Sequence, residues 1–208
     1  MILALKKRIL PAFLALLLAT ACASAPTGTP AGAPTPAATP TDGSVAAYTE
    51  SGTAFEGAAT YYISDADGDD GNAGTSPEAP WKTVGMTFGK KLQPGDRILL
   101  KRGDTFTAGT KLSQRLVVGS PGTAERPVVV GAYGVGPRPV IRGSSTYQSV
   151  CVMVANASHV RITDLEMGHA RLGVYFRFDK AGSENLSVDN CRFTDFNDGD
   201  LGHDGPDG

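Results

Sequence analysis

A short pattern of apolar and polar positions occurs twice in the C-terminal half of the chain. The two copies, residues 160–167 and 186–193, agree at four apolar positions. The alignment sets Val160, Ile162, Leu165 and Met167 against Leu186, Val188, Cys191 and Phe193, respectively. Upstream, Val150, Val152 and Val154 alternate, and we align them with Val174, Phe176 and Phe178. Short β-branched runs repeating every ~25 residues predict a solenoid of stacked parallel strands.

The apolar phase shifts by one residue at Asp164 in the first copy and at Asn190 in the second. Asn and Asp tolerate the left-handed backbone, so both positions predict a tight bend. Strand phase also places Cys191 inward and Cys151 outward, which favours two unpaired cysteines. The predicted inward residues are Val152, Val154, Ile162, Leu165, Val174, Phe176, Val188 and Phe193.

The N-terminus has the pattern of an exported protein. Basic residues 6–8 precede an apolar run over 9–21, which is too short to span a bilayer and predicts a signal peptide at 1–21. Residues 19–22 resemble the bacterial lipoprotein box. The resemblance implies that Cys22 is lipidated, so we expect the lipid to be the contact with the membrane. Cleavage after Ala21, Ala23 or Ala25 is the alternative. We therefore expect a cell-envelope or surface lipoprotein, with a secreted protein as the alternative.

Composition then divides the rest of the chain. Residues 24–41 are rich in Pro, Thr and Ala and carry no charge, so residues 22–59 are assigned as a lipid-attachment site and tether. Residues 60–96 are assigned as an N-terminal cap and 97–208 as coils. Within the cap, an apolar stripe at three- and four-residue steps predicts an amphipathic capping helix over Trp81 to Leu92. The remaining positions of that stripe are Val84 and Phe88.

Several motifs in order carry a family resemblance. They are Gly74-Thr75-Ser76-Pro77, Pro80-Trp81-Lys82-Thr83, Pro94-Gly95-Asp96, Arg102-Gly103-Asp104-Thr105-Phe106 and the run from 122 to 143. Together they resemble the N-terminal cap and first coils of secreted right-handed parallel β-helix proteins, the pectate-lyase-like group. The resemblance implies an all-β, right-handed parallel β-helix from about Tyr61 to Asp198, with a stacked Asn ladder at the position of Asp164 and Asn190.

The resemblance does not select a reaction, because the same cap and coils precede lyases, hydrolases, epimerases and non-enzymatic surface proteins. Uronate lyases of this group use a Lys or Arg as base, and no residue here matches that base individually. Catalytic residues are therefore unassigned. We expect a surface-anchored protein that acts on or binds acidic polysaccharide, as part of a polysaccharide lyase. The alternative is a non-catalytic glycan-binding solenoid.

Charge distribution suggests the ligand class. Residues 71–194 hold 16 Lys+Arg and 9 Asp+Glu, although the whole chain has a net charge of −2. A basic body on an exported solenoid favours an acidic polysaccharide over nucleic acid. Arginine suits carboxylate recognition, so the candidate substrate-binding residues are Arg161, Arg171, Arg177 and Arg192. For Arg192, an ion pair with Glu166 of the preceding coil is the simpler interpretation.

Two acidic segments contain carboxylates of the kind that bind calcium. Asp65, Asp67 and Asp69 have the alternating spacing of a calcium loop, although the EF-hand pattern fails at Asp70 and Ser76. A solvated acidic turn is the alternative. The second segment holds Asp195, Asp198, Asp200, His203, Asp204 and Asp207, for which ordinary turns are favoured. Because no C-terminal cap follows Phe196, we expect a truncated coil stack, the N-terminal part of a longer protein.

Overall fold

A computed structural model describes residues 50–144, 149–179 and 183–196. The predicted signal peptide, Cys22, most of the tether and the acidic residues beyond Asp195 lie outside these ranges. The described residues form twelve strands. Their bounds are β1 Thr60–Ile63, β2 Arg97–Lys101, β3 Thr105–Ala108, β4 Leu116–Val118, β5 Val128–Tyr133, β6 Val140–Gly143, β7 Val150–Ala155, β8 Val160–Thr163, β9 Glu166–Gly168, β10 Leu172–Arg177, β11 Leu186–Asp189 and β12 Arg192–Thr194.

The strands form three parallel sheets. One has five strands in the order β1-β2-β5-β8-β11, one has four in the order β12-β9-β6-β3, and one has three in the order β10-β7-β4. Along the chain, each coil visits the five-, four- and three-stranded sheet in turn. This arrangement is a parallel β-helix, as predicted, and the right-handed twist of strands favours the right-handed coil.

The interior of the coils is a single apolar core. Val152, Val154, Ile162 and Leu165 have no exposed surface, as the inward phase predicted. Val174, Phe176 and Val188 are partly buried against the same core. Phe193 pairs in register with buried Met167, yet it is 49% exposed. The residues predicted to face inward therefore do so, and they become less buried toward β12.

The predicted alignment in the three-stranded sheet was wrong. Val174 pairs with Val152, and Val150 pairs with Leu172. Val150 packs with Val117 and Met153 outside the central core, whereas Cys151 lies inside it. The period-two pattern therefore begins after Val150, and the outward placement of Cys151 was also wrong.

Both described cysteines are free, as predicted. The Cys151 thiol lies 3.3 Å from the carbonyl oxygen of Ile141 in a fully buried position. Burial raises the pKa of this thiol to about 11, and burial also raises that of Cys191. Both side chains therefore behave as small apolar groups of the core.

The predicted capping helix was wrong in conformation and correct in position. Only Val84–Thr87 is helical, as a short 3₁₀ turn, and Trp81 forms a parallel bridge with Ile63. A side chain at Gly85 would lie 2.3 Å from the Ser113 carbonyl oxygen, so the segment packs too closely for a regular amphipathic helix. Trp81 and Val84 nevertheless close the core, and Trp81 stacks on Tyr61 with centroids 5.1 Å apart.

The end of the predicted tether also lies against the coils. Residues 50–52, here called the strap, cross the outer face of the five-stranded sheet. The Arg97 guanidinium donates to the Glu50 carboxylate at 2.8 Å, and Ser51 is buried. Within the described ranges, no helix is long and apolar enough to cross a membrane.

Candidate functional site

The outer face of the five-stranded sheet is covered on one side and open on the other. Ser51 of the strap sits directly on Gly131 of β5, where a Cβ atom would lie 2.2 Å from the serine Cβ. The outward Leu99 and Val129 are buried, whereas Arg161 on β8 and Ser187 on β11 are exposed. The accessible part of this face is therefore the β8–β11 side.

A bidentate ion pair joins these two strands. Nε and Nη2 of Arg161 each donate to a carboxylate oxygen of Asp189 at 2.8 Å, and the Thr163 hydroxyl donates to the same carboxylate at 2.9 Å. The hydrogen bonds from Arg161 lower the pKa of Asp189, and those to Asp189 raise the pKa of Arg161. The guanidinium is thus held in place by a carboxylate of the next coil.

A pocket of about 320 Å³ lies next to this pair. Its lining combines polar groups of two coils with the turn that precedes β5: Thr123, Ala124, Pro127, His159, Val160, Arg161, Asn185 and Ser187. This combination is typical of sites that bind a ligand with both polar and apolar faces.

Two stacked left-handed residues form one wall of the pocket. His159 and Asn185 have φ values of 52° and 53°, and the Asn185 amide nitrogen lies 3.2 Å from Nδ1 of His159. Nε2 of His159 lies 3.6 Å from the Glu184 carboxylate. Asn tolerates this backbone, and the repeated geometry fixes both side chains.

A second polar ladder anchors the strap beside the site. Asp164 and Asn190 have φ values of 61° and 48°, which confirms the predicted bends. The Asp164 carboxylate accepts one hydrogen bond from the Asn190 amide and another, at 2.5 Å, from the Ser51 hydroxyl. A carboxylate accepts from both donors, whereas an Asn amide presents only one acceptor atom. At this position, for which the resemblance implied Asn, Asp164 gives each donor a carboxylate oxygen of its own.

The structure does not bring the four predicted arginines together. Arg161 lies on the five-stranded sheet, Arg177 on the three-stranded sheet and Arg192 on the four-stranded sheet. Arg171 lies in the turn before β10, where it lines an apolar pocket of about 410 Å³ with Phe193. Of these residues, only Arg161 belongs to the pocket described above.

Ion pairs engage the two arginines on the other sheets. Arg177 donates to Asp179 at 3.0 Å, and Arg192 lies 3.8 Å from Glu166. The second contact confirms the inter-coil pair that the repeat predicted. A role of these arginines in substrate binding stays a prediction.

The acidic loop before Trp81 makes separate contacts with the cap. Asp67 pairs with Lys101 of β2, and the Asp69 carboxylate accepts from the Gly71 amide at 2.7 Å. The Asp65 carbonyl oxygen accepts from the Lys82 ammonium at 2.5 Å. Among the described residues, no group of three or more His, Cys, Asp or Glu side chains is arranged to hold a metal ion. Calcium binding here stays a prediction.

The terminal acidic run is described at one position. Asp195 lies 4.0 Å from Nε2 of His169, again one coil apart. The other five members lie outside the described residues.

His159 and Asn185 are not among the candidate residues predicted from the sequence. Their shared left-handed geometry follows from the same repeat that aligned Val160 with Leu186, because each is the residue immediately before its strand. Extending the repeat by one position would have found the pair.

The sequence has a partial match among known proteins. No protein-family model matches the chain. Over 59 residues, the sequence is 46% identical to a lacto-N-biosidase of Bifidobacterium longum subsp. longum. The matched segment covers 27% of this chain and 4% of that protein.

Two solved structures are similar over larger parts of this chain. A GH136 lacto-N-biosidase from Eubacterium ramulus matches 62% of this chain and 27% of its own, with 23% identity and a TM-score of 0.48. Pectate lyase Pel9A matches 64% of this chain and 34% of its own, with 23% identity and a TM-score of 0.49. The chain therefore spans a small part of the length of each of these proteins.

Proposed function

We propose that this β-helix binds a glycan chain on the open β8–β11 face and contributes to a carbohydrate-active protein. The observation that carries the proposal is the pocket that Arg161, His159 and Asn185 line together with the apolar Ala124 and Pro127. A sugar ring has hydroxyl groups at its edge and C–H groups on its faces. Polar groups held on rigid strands beside a small apolar surface suit such a ring.

The partial identity with a lacto-N-biosidase supports an enzyme that acts on glycans. Hydrolysis would need two carboxyl groups flanking the scissile bond, whereas the lyase expected from the family resemblance would need a base beside a uronate carboxyl group. The proposal assigns neither role to a residue. An assay with two readouts separates the reactions, since both release reducing ends and only elimination adds ultraviolet absorbance from unsaturated ends.

The binding site itself is tested with matched arginine variants. Arg161→Gln removes the charged donor from the pocket, and Arg177→Gln is the control because its side chain is 48% exposed, against 46% for Arg161, and also pairs with an aspartate. We expect the first variant to weaken glycan binding by about tenfold, the loss of one good hydrogen bond, and the second to leave it unchanged. Calorimetry or affinity electrophoresis provides the measurement. Equal effects of both variants would argue against this face.

We also propose that the protein is exported and anchored through a lipid on Cys22, as the N-terminal pattern predicted. Cys22→Ala should abolish incorporation of labelled fatty acid and move the protein from the membrane fraction to the soluble fraction. A variant that still partitions with membranes would contradict the anchor and leave the glycan proposal unaffected.

A further inference from the structure

We infer that the pocket beside β8 and β11 takes an uncharged sugar unit, a hexose or an N-acetylhexosamine, and discriminates against a uronate. The inference rests on the proposed function, because it names the ligand of the same site. It departs from the acidic polysaccharide expected from sequence.

The first argument is that the arginine of the pocket is already engaged. A uronate carboxylate is recognised best by two parallel donors of a guanidinium fork. In Arg161, the Nε–Nη2 edge of that fork makes this bidentate contact with Asp189, with both distances at 2.8 Å. A ligand carboxylate would therefore have to use the Nη1–Nη2 edge, share Nη2 with Asp189 and lie beside the negative charge of that residue. A sugar hydroxyl needs only a single remaining donor.

The second argument is the sign of the charges around the pocket. The guanidinium of Arg161 is paired with the Asp189 carboxylate through two hydrogen bonds of 2.8 Å. A further carboxylate, that of Glu184, lies 3.6 Å from Nε2 of His159, which lines the same pocket. Carboxylates thus neighbour both basic side chains of the pocket, so another anion gains little attraction on entering.

The third argument is the set of donors and acceptors that remains. Thr123, Asn185 and Ser187 offer hydroxyl and amide groups that can both donate and accept. Each hydroxyl of a sugar also donates and accepts, so these groups match it without any charge. Ala124 and Pro127, which are not buried, can contact the C–H face of the ring.

Charge balance over the described residues agrees with this inference. Including the acidic cap loop, these residues hold 15 Lys+Arg and 16 Asp+Glu. The excess of basic residues in 71–194 is therefore offset by carboxylates that pack on the first coils, such as Asp67 on Lys101. The long-range attraction expected for an acidic polymer is correspondingly weak.

The test compares a charged tetrasaccharide with uncharged ones. The protein is titrated with α-1,4-linked galactotetraose and with tetragalacturonate, which then differ only at C6, and with chitotetraose as the N-acetylated probe. We expect an uncharged tetrasaccharide to bind at least about tenfold more tightly than tetragalacturonate, with little dependence on sodium chloride between roughly 20 and 300 mM. Tighter binding of tetragalacturonate that weakens with salt would overturn the inference and leave the proposed function standing.

A variant sharpens the comparison. Asp189→Asn removes the compensating charge, so it should increase tetragalacturonate affinity by at least about threefold. Asp179→Asn, at the equivalent pair on the three-stranded sheet, should not. If Asp189→Asn does not fold, the wild-type comparison still decides between the ligands. Binding of none of the three tetrasaccharides would overturn the proposed function and this inference with it.

Discussion

Gly131→Ala tests whether the strap is part of the folded body. A Cβ atom at this position would lie 2.2 Å from the Cβ of Ser51, well inside van der Waals contact, so the strap must lift from β5. Lifting it breaks three hydrogen bonds of Ser51. The Ser51 amide donates to the Ala132 carbonyl oxygen at 2.9 Å, and the Ser51 hydroxyl oxygen accepts from the Ala132 amide at 2.9 Å. The Ser51 hydroxyl also donates to the Asp164 carboxylate at 2.5 Å. At about 1 kcal/mol each, the free energy of unfolding should fall by ~3 kcal/mol.

Urea denaturation followed by circular dichroism provides the measurement, with Gly119→Ala as the matched control. At Gly119 the nearest atom to an added methyl group would be the Ala155 carbonyl oxygen at 4.0 Å, so this variant should change stability by less than about 1 kcal/mol. Hydrogen exchange should also show faster exchange at residues 50–52 in Gly131→Ala. Equal unfolding midpoints for the two variants would refute the argument that the strap contributes to stability.

Three further outcomes are expected. The pKa of Asp189 is lowered in the folded state, so its ion pair stabilises the protein above about pH 4, and this contribution is lost as the pH falls through the folded pKa. In Asp189→Asn, thermal denaturation should therefore show a smaller loss of stability on acidification than in the wild type, by under ~1 kcal/mol because the pair is exposed. Amide exchange should be slow in β2 and β5 and fast in β11 and β12, whose side chains are less buried; uniform protection would contradict this. Calcium at about 1 mM should leave the melting temperature unchanged, because binding would require Asp67 to leave Lys101; a rise abolished by Asp67→Asn would establish the predicted site.

The cap shows why local periodicity misjudged a conformation while locating a surface correctly. The stripe from Trp81 to Leu92 identified three residues that close the core, since Trp81, Val84 and Leu92 are buried, but its fourth position, Phe88, is 48% exposed. The stripe could not reveal that Trp81 would pair as a strand with Ile63, or that Gly85 would pack on the backbone of Ser113. Both contacts come from residues distant in sequence, and they override helical spacing.

The candidate site shows the same division. The aligned copies of the repeat fix the register of β8 and β11, in which Arg161 pairs with Ser187 and Thr163 with Asp189. The diagonal reach of the guanidinium to Asp189 depends on side-chain conformations that alignment does not specify. That contact changed the inferred ligand from an anion to an uncharged sugar.

The sequence by itself determined the solenoid, because a repeated apolar phase specifies which side of each strand faces the core and where Asp164 and Asn190 must bend. Stacking repeats the same local geometry, so local pattern is sufficient there. Only the tertiary structure decided what covers the outer face of the coils. The strap reaches Gly131 and Asp164 across a long stretch of chain, and such contacts leave no periodic signal because each is made once.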